Sequence, residues 1–241
     1  MTMTEPATRP PGAASSTRII ARRRSRRKLL SWIPITIVAL LCVGFVVAAV
    51  AMQNSWWIDA DRPASADQEA ADGMSIFTGA GIDYIGRQGL MKIRVTEDAL
   101  PADELGLPAD GSERFEPIVP VTAIILGGDG VFSMDLVRSF TVTTTDGRVD
   151  SIELSRVSDG AWLTVFPYLN SVAERWGFTA ADVAALQDDL TAASREEGAD
   201  QYSAAIEPVL HNGALSSAEI TVDTRSSQVT VTFEVAVADS P

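Results

Sequence analysis

Residues 218–237 read AEITVDTRSSQVTVTFEVAV, and this stretch decides the fold class. Val229, Val231, Phe233, Val235 and Val237 alternate with Thr, Glu and Ala without a break. Upstream, Ile220 and Val222 alternate with polar neighbours, and residues 225–227 turn between the two runs. A period of two puts every apolar side chain on one face, so the spacing predicts an antiparallel hairpin with one buried side.

The grammar before that hairpin is helical. Thr179 reads as an N-cap, with Asp182 at the third helical position and Phe178 and Val183 in the two places of a hydrophobic staple. Val183, Leu186 and Leu190 form its apolar stripe, and Gly198 stops it. A preceding helix starts at Pro167, because proline suits the first helical position. It carries Leu169, Val172, Ala173 and Trp176 on one face and ends at Gly177. Residues 161–166 read as a strand, since a helix through them would place Pro167 in its interior. A third, shorter helix is expected at 201–207, with Tyr202 and Ile206.

Farther upstream the punctuation is Asp-Gly, at 72–73, 110–111, 129–130, 146–147 and 159–160. Asp tolerates turn geometry and Gly supplies positive φ, so these pairs separate extended segments. Strands are expected at 90–96, 119–126, 137–144 and 149–157. A three-residue loop at 145–147 pairs Phe140 with Ile152 and Val142 with Asp150. Strands, then helices, then a hairpin indicate an α+β domain of antiparallel strands, with two or three helices inserted before the C-terminal β-hairpin.

The N-terminus is of another kind. Residues 1–28 hold eight basic side chains (Arg9, Arg18, Arg22, Arg23, Arg24, Arg26, Arg27 and Lys28) against the single acid Glu5. The whole chain is −13, so a tail of +7 leaves a body of −20. From Leu29 to Ile58 there is no charged residue and no histidine. Residues 29–52 make an apolar run about 36 Å long as a helix, enough for a hydrocarbon core of about 30 Å. The charge bias places 1–28 in the cytoplasm and the acidic body outside. The expected organisation is a largely disordered basic tail at 1–28, a transmembrane helix at 29–52, a juxtamembrane linker at 53–74 and an extracytoplasmic α+β domain at 75–241. Trp56 and Trp57 fall where interfacial aromatics belong.

A second reading competes for the same segment. Arg26-Arg27 has the outline of a twin-arginine export signal, and Ala49-Val50-Ala51 has the small-x-small form of a cleavage site. Cleavage after Ala51 would release a soluble domain. The apolar run is longer than an ordinary signal core, which favours the anchor.

The search for chemistry mainly excludes. The one cysteine, Cys42, lies inside the apolar run, so no intramolecular disulfide or cysteine-ligated zinc site forms. There is no G-x-S-x-G elbow and no Walker A sequence; Gly81 to Gly86-Arg87 has similar glycine spacing but lacks the lysine. Gly127-Gly128-Asp129-Gly130 reads as a turn. His211, the only histidine, stands beside the turn signal Asn212-Gly213, and Lys92, the only lysine beyond the tail, sits in an alternating run. Neither has the partners of a general base or a nucleophile. Asp188-Asp189 and Glu196-Glu197 read as a solvated helix face, Asp59 and Asp61 belong to the linker, and no segment has the spacing of a calcium loop.

No catalytic, cofactor-binding or metal-ligating residue is therefore assigned, and no cofactor is expected. The expected partners are the lipid bilayer, through residues 29–52, and another envelope or membrane protein. Nucleic acid is excluded, because the acidic body lacks the Lys and Arg that phosphate contacts need. The Ala-, Asp- and Arg-rich, Lys-poor composition fits a bacterial chain. The reading is a single-pass, membrane-anchored, non-enzymatic binding or accessory protein of the cell envelope. An envelope hydrolase using carboxylates is the alternative, besides the secreted domain.

Overall fold

The alternating C-terminal residues form the middle of the larger of two sheets. The computed structural model describes residues 37–45, 64–195 and 200–238. They fall in two units, one within Met1–Arg62 and the other within Pro63–Pro241. In the first, residues 37–45 are helical and exposed. The basic tail, residues 29–36 and 46–52 of the expected span, Trp56, Trp57, Asp59 and Asp61 lie outside the described residues. Among the described residues no helix is long and apolar enough to cross a membrane.

The second unit is α+β, with mostly antiparallel sheets and a chain that ends in strands. Its elements are α1 (Gly79–Gln88), β1 (Leu90–Arg94), β2 (Gly111–Phe115), β3 (Val121–Leu126), β4 (Val131–Val137), β5 (Ser139–Thr145) and β6 (Arg148–Asp159). After these come a 3₁₀ turn (Trp162–Val165), α2 (Phe166–Val172), a second 3₁₀ turn (Ala173–Trp176) and α3 (Ala180–Ala193). The chain closes with β7 (Gln201–His211), β8 (Ala214–Asp223) and β9 (Gln228–Val237). The larger sheet has the order β2-β5-β6-β9-β8-β7 and is antiparallel throughout. The smaller has the order β1-β3-β4, with β1 and β3 parallel.

The pleat explains the core. Phe115, Phe140, Leu154, Phe233, Ala218 and Ile206 lie in one cross-strand row on β2, β5, β6, β9, β8 and β7, and all are buried. Trp176, fully buried, fills the space over Phe233 (ring centroids 4.3 Å apart) and meets Phe132 of β4 at 5.3 Å. Both sheets and the helices share this core. Burying an aromatic ring of this kind contributes roughly 1.5–3 kcal/mol.

The stapled helix forms as its residues dictate. The Thr179 hydroxyl accepts the Asp182 N–H, and the Asp182 carboxylate accepts the Thr179 N–H at 2.7 Å. Phe178, Val183, Leu186 and Leu190 are buried. Gly177 closes the preceding 3₁₀ turn at φ 80°, and Leu169, Val172, Ala173 and Trp176 are all buried. Gly198, expected to stop α3, lies outside the described residues; the helix ends at Ala193.

Three expectations are corrected. Residues 161–166 are not a strand: a 3₁₀ turn passes into α2 at Phe166, which puts Pro167 in the first helical turn, where its missing N–H costs nothing. Residues 201–207 are not a helix but the first part of β7, held by nine register pairs to β8, from Gln201 opposite Asp223 to His211 opposite Ala214. The β5–β6 register is also different. Asp146 and Gly147 take φ 52° and 73°, a two-residue turn, and Asp150 bulges out of β6. Phe140 therefore faces Leu154, and Val142 faces Ile152.

Three elements have no counterpart in the sequence reading: β2, β4 and α1. In α1 the Gly81 Cβ position would lie 1.9 Å from the Ile76 carbonyl oxygen, so this glycine serves close backbone approach. A second close approach joins the sheets. The β7–β8 turn, Asn212-Gly213, docks on the 127–130 loop, with the Asn212 carbonyl accepting the Asp129 N–H at 3.0 Å and its amide donating to the Val131 carbonyl at 3.3 Å.

Candidate functional site

The outer face of the larger sheet carries a continuous set of polar and charged side chains. Opposite residues of an antiparallel pair share a face, so the register lists it. One row runs Arg114, Thr141, Glu153, Glu234 and Ser217, and the next Ser139, Ser155, Thr232, Glu219 and Ala205. A third holds Val157, Thr230, Thr221 and Ser203. Core residues of the same strands point the other way, so this face is free for small polar side chains and charge.

Four glutamates, Glu153, Glu234, Glu219 and Glu207, run from the middle of this face to its β7 edge, and all are exposed. Glu153 on β6 is directly opposite Glu234 on β9. Like charges in that arrangement repel, at a cost of roughly 0.2–1 kcal/mol. Among the described residues nothing cationic offsets it. Arg114, on the same row, is committed to Glu116 at 2.9 Å and to the Ser139 hydroxyl at 3.1 Å. The partners of the glutamates are hydroxyls: Ser155 to Glu153 at 3.4 Å and Ser217 to Glu234 at 3.5 Å. The bulge of β7 beside Pro208 bends the edge into a shallow groove of about 230 Å³ that all four glutamates line. Among the described residues no group of three or more acidic, histidine or cysteine side chains is placed to hold a metal ion. The four carboxylates are spread across strands rather than converged on one point.

A larger open groove of about 630 Å³ lies where the second unit begins, lined by Ala64, Ala66, Ala70, Ile76, Glu69 and Glu104. Glu69 is engaged with Lys92 at 3.4 Å, which accounts for the only lysine beyond the tail.

The other residues weighed in the sequence are scattered. His211 is half-buried, 5.9 Å edge-on to Phe132 and against Gly177. Gly81, Gly86 and Arg87 are within α1, and the 127–130 glycines form the turn between β3 and β4. Asp188 and Asp189 are exposed on α3, Cys42 is exposed in the 37–45 helix, and Glu196 and Glu197 lie outside the described residues. The sequence reading did not single out the four glutamates. The alternation of Gln228–Val237 already put Glu234 on the outer face, but only the β6–β9 pairing brings Glu153 to it.

Two buried polar groups lie apart from this face, the Trp176 indole N–H and the Tyr168 hydroxyl. The Tyr168 hydroxyl is enclosed without a hydrogen-bond partner, and the Arg156 guanidinium sits over the ring, 4.4 Å from its centroid. Burial pushes the phenol above its ordinary range, which Arg156 partly opposes. Comparison with protein-family models, with curated proteins and with solved structures finds no match to this chain.

Proposed function

We propose that this chain is a single-pass membrane protein of the bacterial cell envelope, with residues 1–28 cytoplasmic, 29–52 in the bilayer and an extracytoplasmic domain that binds another envelope protein without catalysing a reaction. The glutamate-bearing outer face of the larger sheet is the recognition surface. The observation that carries this is Glu153 opposite Glu234: two exposed carboxylates kept face to face without a cation. A basic partner relieves that repulsion, and spread carboxylates on an open face suit recognition better than acid–base work, which needs two carboxyl groups in different environments. The anchor is supported by residues 37–45, a helix on which Ile37, Val38, Leu40, Leu41, Val43 and Phe45 are all exposed. A helix apolar on every side requires surroundings other than water.

The test is capture of the intact protein from membranes, beside a Glu153→Gln/Glu234→Gln variant, with mass analysis of partners and of the N-terminus. A basic partner held by the native chain, released by salt and lost with the variant, is expected. Equal capture by both removes the sheet face from the reading. A mature N-terminus at Met52 removes the anchor and leaves a secreted domain.

A further inference from the structure

We propose that Arg156, held over the ring of Tyr168, forms with Arg175 a binding site for a carboxylate-bearing ligand. The case starts from the pleat of β6. Ile152 and Leu154 point into the core, and Arg156 is next in the same alternation. Its partner across the ladder, Val231, is buried, as is Ile220 beyond it. A charge in a core-facing series breaks the apolar pattern, and such breaks are expected where function requires them.

A half-buried guanidinium needs acceptors, because its five N–H donors have given up water. The chain has 32 acidic residues, yet among the described residues none is in ion-pair contact with Arg156. What holds the guanidinium is the Tyr168 ring, 4.4 Å away at its centroid. A guanidinium resting on a ring spends its π surface there and keeps its in-plane N–H groups for acceptors. The Tyr168 hydroxyl is not one of these, being enclosed and without a hydrogen-bond partner.

Arg175 stands about two helical turns after Tyr168, exposed and, among the described residues, also without a carboxylate partner. It acts on the charge of the phenol together with Arg156 and Asp135, which groups all three about one ring. Asp135 is exposed and accepts the Thr122 hydroxyl at 2.9 Å. Two guanidiniums and one carboxylate leave a single positive charge, so a monoanion neutralises the cluster. A planar carboxylate accepts two parallel N–H bonds from the free edge of a guanidinium. In a body of −20, an anion settles only where such local bonding outweighs the field of the whole domain. The cluster is on the face of β6 opposite to Glu153, so it is separate from the recognition surface.

The test follows modification of each arginine by phenylglyoxal in the detergent-solubilised full chain, mapped by mass analysis, in sodium acetate against sodium chloride at equal ionic strength. Acetate is expected to slow Arg156 about threefold relative to chloride and to leave the exposed Arg87 and Arg195 unchanged. Dimethyl phosphate carries the same charge on a tetrahedral group and should protect less. Asp135→Asn removes the competing charge and keeps an acceptor for Thr122, so it should strengthen acetate protection about twofold. Arg175→Gln should weaken it by a similar factor. Tyr168→Phe keeps the ring under Arg156 and keeps protection, whereas Tyr168→Leu loses it; circular dichroism separates that loss from unfolding. No selective protection of Arg156 by acetate, or equal protection by dimethyl phosphate, overturns the proposal. So does protection that survives Tyr168→Leu or ignores Asp135→Asn. None of these results bears on partner capture by the glutamate face.

Discussion

Gly177→Ala should be far more damaging than the same change at Gly89, although both glycines cap a helical segment in the left-handed region, at φ 80° and 67°. An alanine held there costs roughly 1–2 kcal/mol, and its stiffer unfolded chain returns about 0.4–1 kcal/mol. At Gly89 that is the whole effect, because nothing lies within 4 Å of the added Cβ. At Gly177 the Cβ would stand 2.6 Å from His211 Cβ and 2.7 Å from its Cγ. Overpacking of this kind adds roughly 1–3 kcal/mol. We expect Gly89→Ala to cost about 1 kcal/mol and Gly177→Ala about 3 kcal/mol. In a domain of this size these correspond to melting-temperature losses of about 2–4 °C and 6–12 °C. Urea titration of the detergent-solubilised chain, followed by circular dichroism, measures both. His211→Gly removes the obstructing atoms, so in that background Gly177→Ala should cost no more than Gly89→Ala. Equal costs in the native background, or an unchanged cost beside His211→Gly, would refute the account of how α2 and its flanking turn lean on β7.

Thr179→Ala should cost about 1 kcal/mol through loss of the cap, read by the same titration. The Thr179 backbone N–H holds the Asp182 carboxyl below its ordinary range, so its contribution is full above the ordinary value and is lost as pH falls through the lowered one; Asp182→Asn should flatten that part of the acid limb. Tyr168→Phe should be neutral or stabilising by up to about 1 kcal/mol, because it deletes an enclosed hydroxyl that has no partner. The raised phenol favours the fold fully below its ordinary value and stops doing so as pH climbs through the raised one, so the variant should lose less stability at high pH; equal alkaline losses would refute this. Glu234→Gln should stabilise the domain by roughly 0.2–1 kcal/mol, with the gain shrinking as salt rises, since it ends the repulsion with Glu153; destabilisation would show that the pair is not repulsive.

What could be read from the chain was what neighbours in sequence decide. The capping box at Thr179, the staple of Phe178 and Val183, the stop at Gly177 and the alternation of Gln228–Val237 each need fewer than a dozen residues, and each formed as expected. The errors have separate causes. QYSAAI contains good helix formers, and only pairing with β8 makes it a strand, so tertiary contact overrode a weak local preference. The objection to a helix through 161–166 assumed one continuous α-helix, and the 3₁₀ turn removes it by letting α2 begin at Phe166. The β5–β6 register failed on the Asp150 bulge, which has no local signature because an exposed aspartate is equally at home in or out of a ladder.

The candidate site was illegible for a stronger reason than any single misreading. Glu153 and Glu234 face each other only because β6 pairs with β9 and not with β7, its successor among the strands. The helical segments from Trp162 to Ala193 intervene, and they carry the chain across the core before β7 begins. Had β6 paired with β7, Glu153 would not have faced Glu234. The same crossing decides which strand becomes the edge. Placing β9 inside the sheet, where its unbroken valine and phenylalanine alternation is buried on one side, pushes the less apolar β7 to the rim. The Glu153–Glu234 pairing and the place of β7 at the rim are thus two consequences of one topological choice. A variant that swaps the order of the last strands should lose both together, while the capped helix, whose determinants are local, persists.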